Sequence, residues 1–215
     1  MPATADAPDT YDLVILGGGS GGYACALRAA QLGLSVALVE RDKLGGTCLH
    51  RGCIPTKALL HAAEVADETR HAASIGVNAV LEGIDLDKVL SYQQGVVGRL
   101  HKGLQGLVAS AAITYVEGDG RLVDAQTVAV GDRILTGRQL VLATGSQPRS
   151  LPGLEISGRI MTSDQALGLT ELPERVVVLG GGVIGVEFAS VFASFGAQVT
   201  VVEAHARPGG GTRTS

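Results

Sequence analysis

A chain of 215 residues with 46% hydrophobic and 18% charged positions can bury one large domain or one and a half smaller ones, which argues against global disorder. Its net charge of −4 argues against a nucleic-acid footprint and against a polybasic membrane patch. No run approaches the roughly 20 apolar residues that a membrane span needs. The first ten residues lack a basic region followed by an apolar one, so a flexible N-terminus over 1–10, no signal peptide and a cytoplasmic location are expected.

Residues 13–40, LVILGGGSGGYACALRAAQLGLSVALVE, read as strand, glycine turn, helix, turn and strand. Gly17-x-Gly19-x-x-Gly22 follows the first strand and opens the helix. Gly17 suits a tight turn, Gly19 lets backbone approach a pyrophosphate, and Gly22 lets helix and strand pack closely. The N–H groups at the helix start can receive phosphate. Glu40 lies at the end of the second strand, where a carboxylate can accept hydrogen bonds from ribose hydroxyls. A glycine-rich turn in some other α/β domain is the plainer reading, but it does not explain Glu40.

The next segment reads Gly45-Gly46-Thr47-Cys48-Leu-His-Arg-Gly-Cys53-Ile-Pro-Thr-Lys57. Three cysteines in an intracellular chain make a poor structural framework, so a redox or catalytic use is the better expectation. Two thiols at this spacing can close a small ring. Pro55 suits the first turn of a helix, which puts Cys53 near a helix N-terminus, where the dipole favours thiolate. Lys57, four residues on, adds to that field. Gly45 and Gly46 let backbone pass close to a flat ligand. A zinc site using His50, a pair of inert buried cysteines and chance spacing remain as alternatives.

Further along, residues 56–74 have helical composition, and residues 85–112 form a second helix from Asp85 as N-cap despite Gly95, Gly98, Gly103 and Gly106. From 113 to 144 the runs ITYVEG, GRLVD, TVAV and QLVLATG suggest a small β-meander ending in a strand. Residues 147–153 read as an inter-domain connection. Residues 176–203 then repeat the pattern of 13–40 without a gap, with 12 of 28 positions identical. Gly180-x-Gly182-x-x-Gly185 is the second glycine turn, and Glu203 again stands 18 residues beyond its last glycine. A carboxylate there favours NAD over NADP, because it repels a 2′-phosphate. Glu187 in the first helical turn reads equally as a complement to the helix dipole.

The segment GGTCLHRGCIPTK resembles the redox-active stretch of the FAD-dependent pyridine nucleotide–disulfide oxidoreductases, and the resemblance extends over residues 11–205. Leu49, Ile54 and Ala58-Leu59-Leu60 look most like the dihydrolipoamide dehydrogenase branch; mercuric, glutathione and trypanothione reductases share the frame. The fold implied is α/β: a Rossmann-like FAD-binding domain with a small β-meander over 11–150, then the first βαβ unit of a second Rossmann-like NAD-binding domain over 151–205. The resemblance implies that Cys48 is the interchange thiol, that Cys53 lies against the flavin as the charge-transfer thiolate, and that Lys57 sits near flavin N5, paired with Glu187. It places Gly17, Gly19, Gly22, Glu40, Arg41, Gly45, Gly46, Thr47, Cys48, Lys57, Gly120, Ala143, Thr144, Gly145 and Ser146 around FAD. It places Gly180, Gly182, Val183, Ile184, Gly185, Glu187 and Glu203 around NAD. For Ala143–Ser146 a strand end and turn is the simpler account. The implied activity is oxidation of dihydrolipoamide, electrons passing through Cys48–Cys53 and FAD to NAD⁺; a related disulfide or mercuric reductase, or a non-catalytic fragment, are the alternatives. The implied partners are a lipoyl-bearing acyltransferase of 2-oxoacid dehydrogenase complexes and, for the full-length family, a second copy of the chain.

The remaining expectations concern what is left over. After Glu203 nothing shows apolar periodicity, so residues 206–215 are expected to be a disordered tail. The chain is expected to be truncated, without the C-terminal dimerisation domain that carries the family's His–Glu base, and inactive alone. Cys25 is expected to be a small core residue, His61, His71 and His101 to lie on helix surfaces, His50 to be exposed, and no metal to be bound, His205 falling in the tail.

Overall fold

The computed structural model describes residues 9–204, so His205, the expected tail and most of the expected flexible N-terminus lie outside the described residues. The described chain divides into two compact units. One is built from residues up to Arg51 together with Val97–Arg149, the other from Gly52–Val96 and from Ser150 onward.

The first unit holds one six-stranded sheet. Strands β1 (Asp9–Leu16) and β2 (Val36–Glu40) are joined by helix α1 (Ser20–Gln31). The short helix α2 (Gly46–Arg51) follows, helix α3 (Cys53–His71) belongs to the other unit, and α4 (Leu86–Ser110) leads into β3 (Thr114–Glu117), β4 (Gly120–Leu122), β5 (Thr127–Val130) and β6 (Arg133–Leu142). The strand order is β3-β2-β1-β6-β5-β4. β3, β2, β1 and β6 are parallel, with Val14 opposite Ala37 and Leu140, while β4, β5 and β6 are antiparallel. Parallel strands covered on both faces need continuous apolar runs. Val14, Ile15 and Val36–Val39 supply them, and all are buried. The core gathers Val14, Ala37 and Val39 with Val116, Val128, Val130 and Leu135.

The expected meander is smaller than its sequence suggests. Thr114–Glu117 joins the parallel edge beside β2, register Ala37 to Thr114, and only β4, β5 and β6 make the meander. A strand delivered by a helical crossover can lie parallel to its neighbour, whereas the two-residue link Gly131–Asp132, with Gly131 at φ +56°, can only form a hairpin.

Helix α4 begins as expected: the Lys88 N–H donates to Asp85 Oδ1 at 3.1 Å, a carboxylate cap. A Cβ on Gly98, Gly103 or Gly106 would meet nothing, so packing does not require these glycines. Each should be replaceable by Ala with a gain of roughly 0.5–1 kcal/mol, since Ala loses less backbone entropy in a helix. Urea midpoints that fall for all three variants would contradict this.

In the second unit, α3 continues into a 3₁₀ turn at Ala72–Ile75, and α5 (Ser163–Ala166), β7 (Arg175–Leu179), α6 (Val183–Phe195) and β8 (Gln198–Val202) follow. β7 and β8 form a two-stranded parallel sheet. Leu59 and Ala63 of α3 pack with Phe188, Val191, Phe192 and Phe195 of α6 and with Leu167. The sheet turns Val176 and Val199 toward this core, but Val177, Leu179, Val201 and Val202 stay exposed. No helix among the described residues is long and apolar enough to cross a membrane.

Candidate functional site

Open parallel sheets bind ligands beyond the carboxyl ends of their strands, where the strand order reverses. In the first unit that point lies at β1, and the glycine turn follows directly. Gly17 has φ +107°, and a Cβ on it would lie 2.2 Å from the Ala143 carbonyl oxygen. A Cβ on Gly22 would lie 1.7 Å from the Gly17 oxygen. Helix α1 is capped by Gly19 without a side-chain hydrogen bond, which leaves its first N–H groups for a ligand.

Four more segments meet this turn. Gly45 donates its N–H to the Gly18 oxygen at 2.8 Å, and a Cβ on Gly46 would lie 2.6 Å from Gly19 Cα. Gly46, at φ +59°, is therefore demanded by backbone packed on backbone, and Gly45, at φ +112°, by its turn and by the Leu49 side chain, 2.3 Å from where a Cβ would lie; the pair leads into α2 with Thr47 and Cys48 directly on the glycine turn. Glu40 accepts the Gly18 N–H at 2.6 Å through one carboxylate oxygen and the Asp42 N–H at 2.9 Å through the other. The Gly118 N–H donates to the Glu40 carbonyl at 2.8 Å, which brings Gly118–Gly120 to the same strand ends. A Cβ on Gly120 would collide with Leu16 and Val39, so core packing alone accounts for that glycine. Ala143 donates to the Leu16 carbonyl at 2.8 Å, and Thr144, Gly145 and Ser146 follow it, exposed, as does Arg41 after Glu40.

The second unit repeats the geometry. Gly180 has φ +105°, and a Cβ on Gly185 would lie 1.9 Å from the Gly180 oxygen. Gly182 caps α6 without a side-chain bond, and the Glu203 carboxylate accepts the Gly181 N–H at 2.6 Å. Val183 and Ile184 are exposed in the first turn of α6.

Cys48 is half-buried on α2 in the first unit, whereas Cys53, exposed, is the first residue of α3 in the second. Gly52 caps α3, and Pro55 sits in its first turn, where its missing N–H removes no helical bond. One turn on, Lys57 pairs with Glu187 of α6. The lysine is 57% exposed and the glutamate 21%, so the pair stabilises the fold by at most about 1 kcal/mol. Its interest lies in placing a cation and a carboxylate at the mouth of the second glycine turn.

Three of the remaining expectations need correction. Cys25 is half-buried and not a full core residue. His50 is half-buried, its Nε2 3.0 Å from the Leu44 carbonyl oxygen, because α2 turns it inward. His101 does not lie on the helix surface. It shares the buried face of α4 with Leu104 and Val108, its ring edge-on to His50 at 4.8 Å, and its Nε2 is buried without a hydrogen-bond partner among the described residues. The spacing of 101, 104 and 108 was the available signal. His61 and His71 are exposed as expected. Among the described residues no three His, Cys, Asp or Glu side chains converge as metal ligands.

Burial pushes the His101 imidazole below its ordinary 6.5, and the charges of His50 and Lys43 act in the same direction. The unfolded chain therefore takes up this proton more readily, so stability is complete above 6.5 and declines as the pH falls below it. His101→Phe should flatten that part of the decline between about pH 8 and about pH 5 in urea titrations; an unchanged slope would count against it.

One link had no sequence signal. Ser194 of α6 donates its hydroxyl to Asp67 of α3 at 2.6 Å. This bond holds the Asp67 carboxyl below its ordinary 3.8, burial opposes it, and Arg70 assists.

Comparison with known proteins gives a consistent result. The family model described as pyridine nucleotide-disulphide oxidoreductase matches residues 11–214. Dihydrolipoyl dehydrogenase of Bacillus subtilis (strain 168) is 47% identical over 207 residues, covering 90% of this chain and 44% of that protein. Dihydrolipoyl dehydrogenase 2 of Haloarcula marismortui is 46% identical over 200 residues, covering 89% and 42%. The HOCl-induced flavoprotein disulfide reductase RclA of Escherichia coli, solved as a Cu(II) complex, is 32% identical with a TM-score of 0.76, covering 91% of this chain and 42% of that one. The chain thus spans less than half the length of these relatives. The α/β class, with its Rossmann-like mainly parallel sheet, agrees with the expectation. On the extent of the family match and on these identities, the chain belongs to the pyridine nucleotide-disulphide oxidoreductase family.

Proposed function

We propose that this chain is the dithiol- and cofactor-bearing part of an enzyme that oxidises dihydrolipoamide with NAD⁺. The observation that carries the reading is that thiol-bearing α2 starts on the first glycine turn, Gly45 N–H to Gly18 O at 2.8 Å, so that Cys48 follows a phosphate-binding loop directly. The cradle fits FAD: glycines that a Cβ would close, uncapped N–H groups at α1, and a carboxylate at the strand ends. FAD, when bound, supplies two-electron redox chemistry, with NAD⁺ as hydride acceptor.

The residues' parts follow. One substrate thiolate attacks Cys48 of a Cys48–Cys53 disulfide and releases Cys53 as thiolate. The second substrate thiolate then displaces Cys48 and closes the substrate's own disulfide, so the protein gains two electrons and two protons as the substrate loses them. Lys57, oriented by Glu187, presents its ammonium beside Cys53 one turn earlier on α3. Gly17, Gly19, Gly22, Glu40, Arg41, Gly46, Thr47, Gly120 and Ala143–Ser146 hold FAD. Gly180, Gly182, Val183, Ile184, Gly185 and Glu203 hold the nicotinamide nucleotide, Glu203 excluding a 2′-phosphate. Similarity to the dihydrolipoyl dehydrogenases supports the substrate, and with it a lipoyl-bearing acyltransferase partner, a second copy of the chain and a cytoplasmic setting.

Thiol mapping by mass spectrometry tests the reading. After mild oxidation, Cys48 and Cys53 should be found in one linked peptide pair, and dihydrolipoamide should free both, while glutathione at equal thiol concentration should do so more slowly. A chain in which these two cysteines never link, or which dihydrolipoamide leaves oxidised, would remove the proposal.

A further inference from the structure

Both glycine motifs carry an extra glycine at the position after their first one, Gly18 and Gly181, where the nucleotide fingerprint asks for none. The first unit shows why. A Cβ on Gly18 would lie 2.9 Å from Glu40 Cβ and 3.2 Å from Glu40 Oε2. The Gly17 N–H still bonds the Val39 carbonyl at 2.8 Å, as the last rung of the parallel ladder. Gly17 then turns to φ +107°, and the Glu40 carbonyl is taken by the Gly118 N–H. The next donor, Gly18 N–H, is met by the Glu40 side chain. In the second unit Gly180 N–H bonds the Val202 carbonyl at 2.8 Å, Gly180 turns to φ +105°, and the Glu203 side chain takes Gly181 N–H. A side-chain carboxylate thus adds one rung past the end of each strand pair.

We infer that Glu40 and Glu203 are positioning residues that brace the two glycine turns from within, before any nucleotide arrives. This goes beyond their reading as acceptors for ribose hydroxyls, which it assumes only for its consequence. Glu40 meets two backbone donors, Gly18 and Asp42, one on each oxygen. A carboxylate has lone pairs left for a ribose diol. An amide does not substitute: Gln has a single acceptor oxygen and sets an NH₂ against the second N–H. Asp is one methylene too short. The consequence is that any change made at 203 to admit a 2′-phosphate also releases the turn that receives the pyrophosphate.

Amide hydrogen exchange on the nucleotide-free 215-residue chain tests this, and each unit serves as the other's control. In the unmodified chain the Gly18 and Gly181 amides should be protected. Glu40→Gln should speed exchange at Gly18 at least about ten-fold and leave Gly181 unchanged, and Glu203→Ala, which removes the acceptor of the Gly181 N–H, should do the reverse. Gly18→Ala, which displaces the carboxylate without removing it, should mimic Glu40→Gln. Unprotected Gly18 and Gly181 amides in the unmodified chain would overturn the inference even if no variant folds, as would variants that leave protection intact. Because no nucleotide is present, a chain that holds both braces yet binds neither FAD nor NAD⁺ would refute the proposed function and leave this inference standing.

Discussion

Gly22→Ala should cost the first unit at least about 3 kcal/mol and abolish flavin binding. The new methyl would sit 1.7 Å from the Gly17 carbonyl oxygen, and both partners are backbone. Relief requires α1 to lift from β1, which separates Ala26 and Ala29 from the sheet they are buried against and opens the phosphate loop. Gly185→Ala, at 1.9 Å from the Gly180 oxygen, should do the same to the second unit. Gly33→Ala is the informative contrast. Its φ of +82° strains any side chain, but a Cβ there meets nothing, so only about 1–2 kcal/mol should be lost and flavin binding should persist. Urea unfolding with flavin fluorescence separates the three. A Gly22→Ala chain as stable as Gly33→Ala would show that helix and strand approach less closely than described.

The two cysteines should fail differently. If Cys48 is the interchange thiol, Cys48→Ser should remove reaction with lipoamide outright, on the order of a thousand-fold or more, as expected when a nucleophile is deleted. Cys53→Ser should instead trap an adduct. The Cys48 thiolate would still attack the disulfide of oxidised lipoamide; no second protein thiol would resolve the mixed disulfide, and alkylating the released lipoamide thiol prevents its return onto Cys48. Intact-mass measurement should then show one lipoamide bound to Cys53→Ser and none to Cys48→Ser. The opposite pattern would exchange the two roles, and adducts on neither would remove the dithiol mechanism.

How much of this was legible beforehand depends on the range of each interaction. The two glycine turns and their terminal glutamates are readable because the motif spacing, the approach of the third glycine to the first and the carboxylate's hold on the turn all lie within one strand–helix–strand stretch. Cys53 at the start of α3 was readable from Pro55 and the helical run behind it. The company α3 keeps was not. Its apolar stripe, Leu59 and Ala63, shows that the helix packs, yet only the folded chain shows that it packs on Phe188, Val191 and Phe192, more than a hundred residues away. Asp67 and Ser194 are hidden for the same reason, since nothing near either residue distinguishes it from a solvated surface group. The composition of β3 matches that of the meander strands, and composition does not report strand direction. The partners of Gly45 and Gly46 are not legible, because a glycine advertises room without saying whether ligand, backbone or a neighbouring side chain fills it.

The outward rows of the small second sheet carry one more consequence. Val177, Leu179 and Val202 form a greasy strip on one face of a two-stranded sheet whose outer edges are unpaired among the described residues. Such a surface is adhesive in water and attracts detergent, dye or another molecule's strand. Whatever covers that strip sets the concentration at which the polypeptide can be handled without clumping, independently of any redox chemistry.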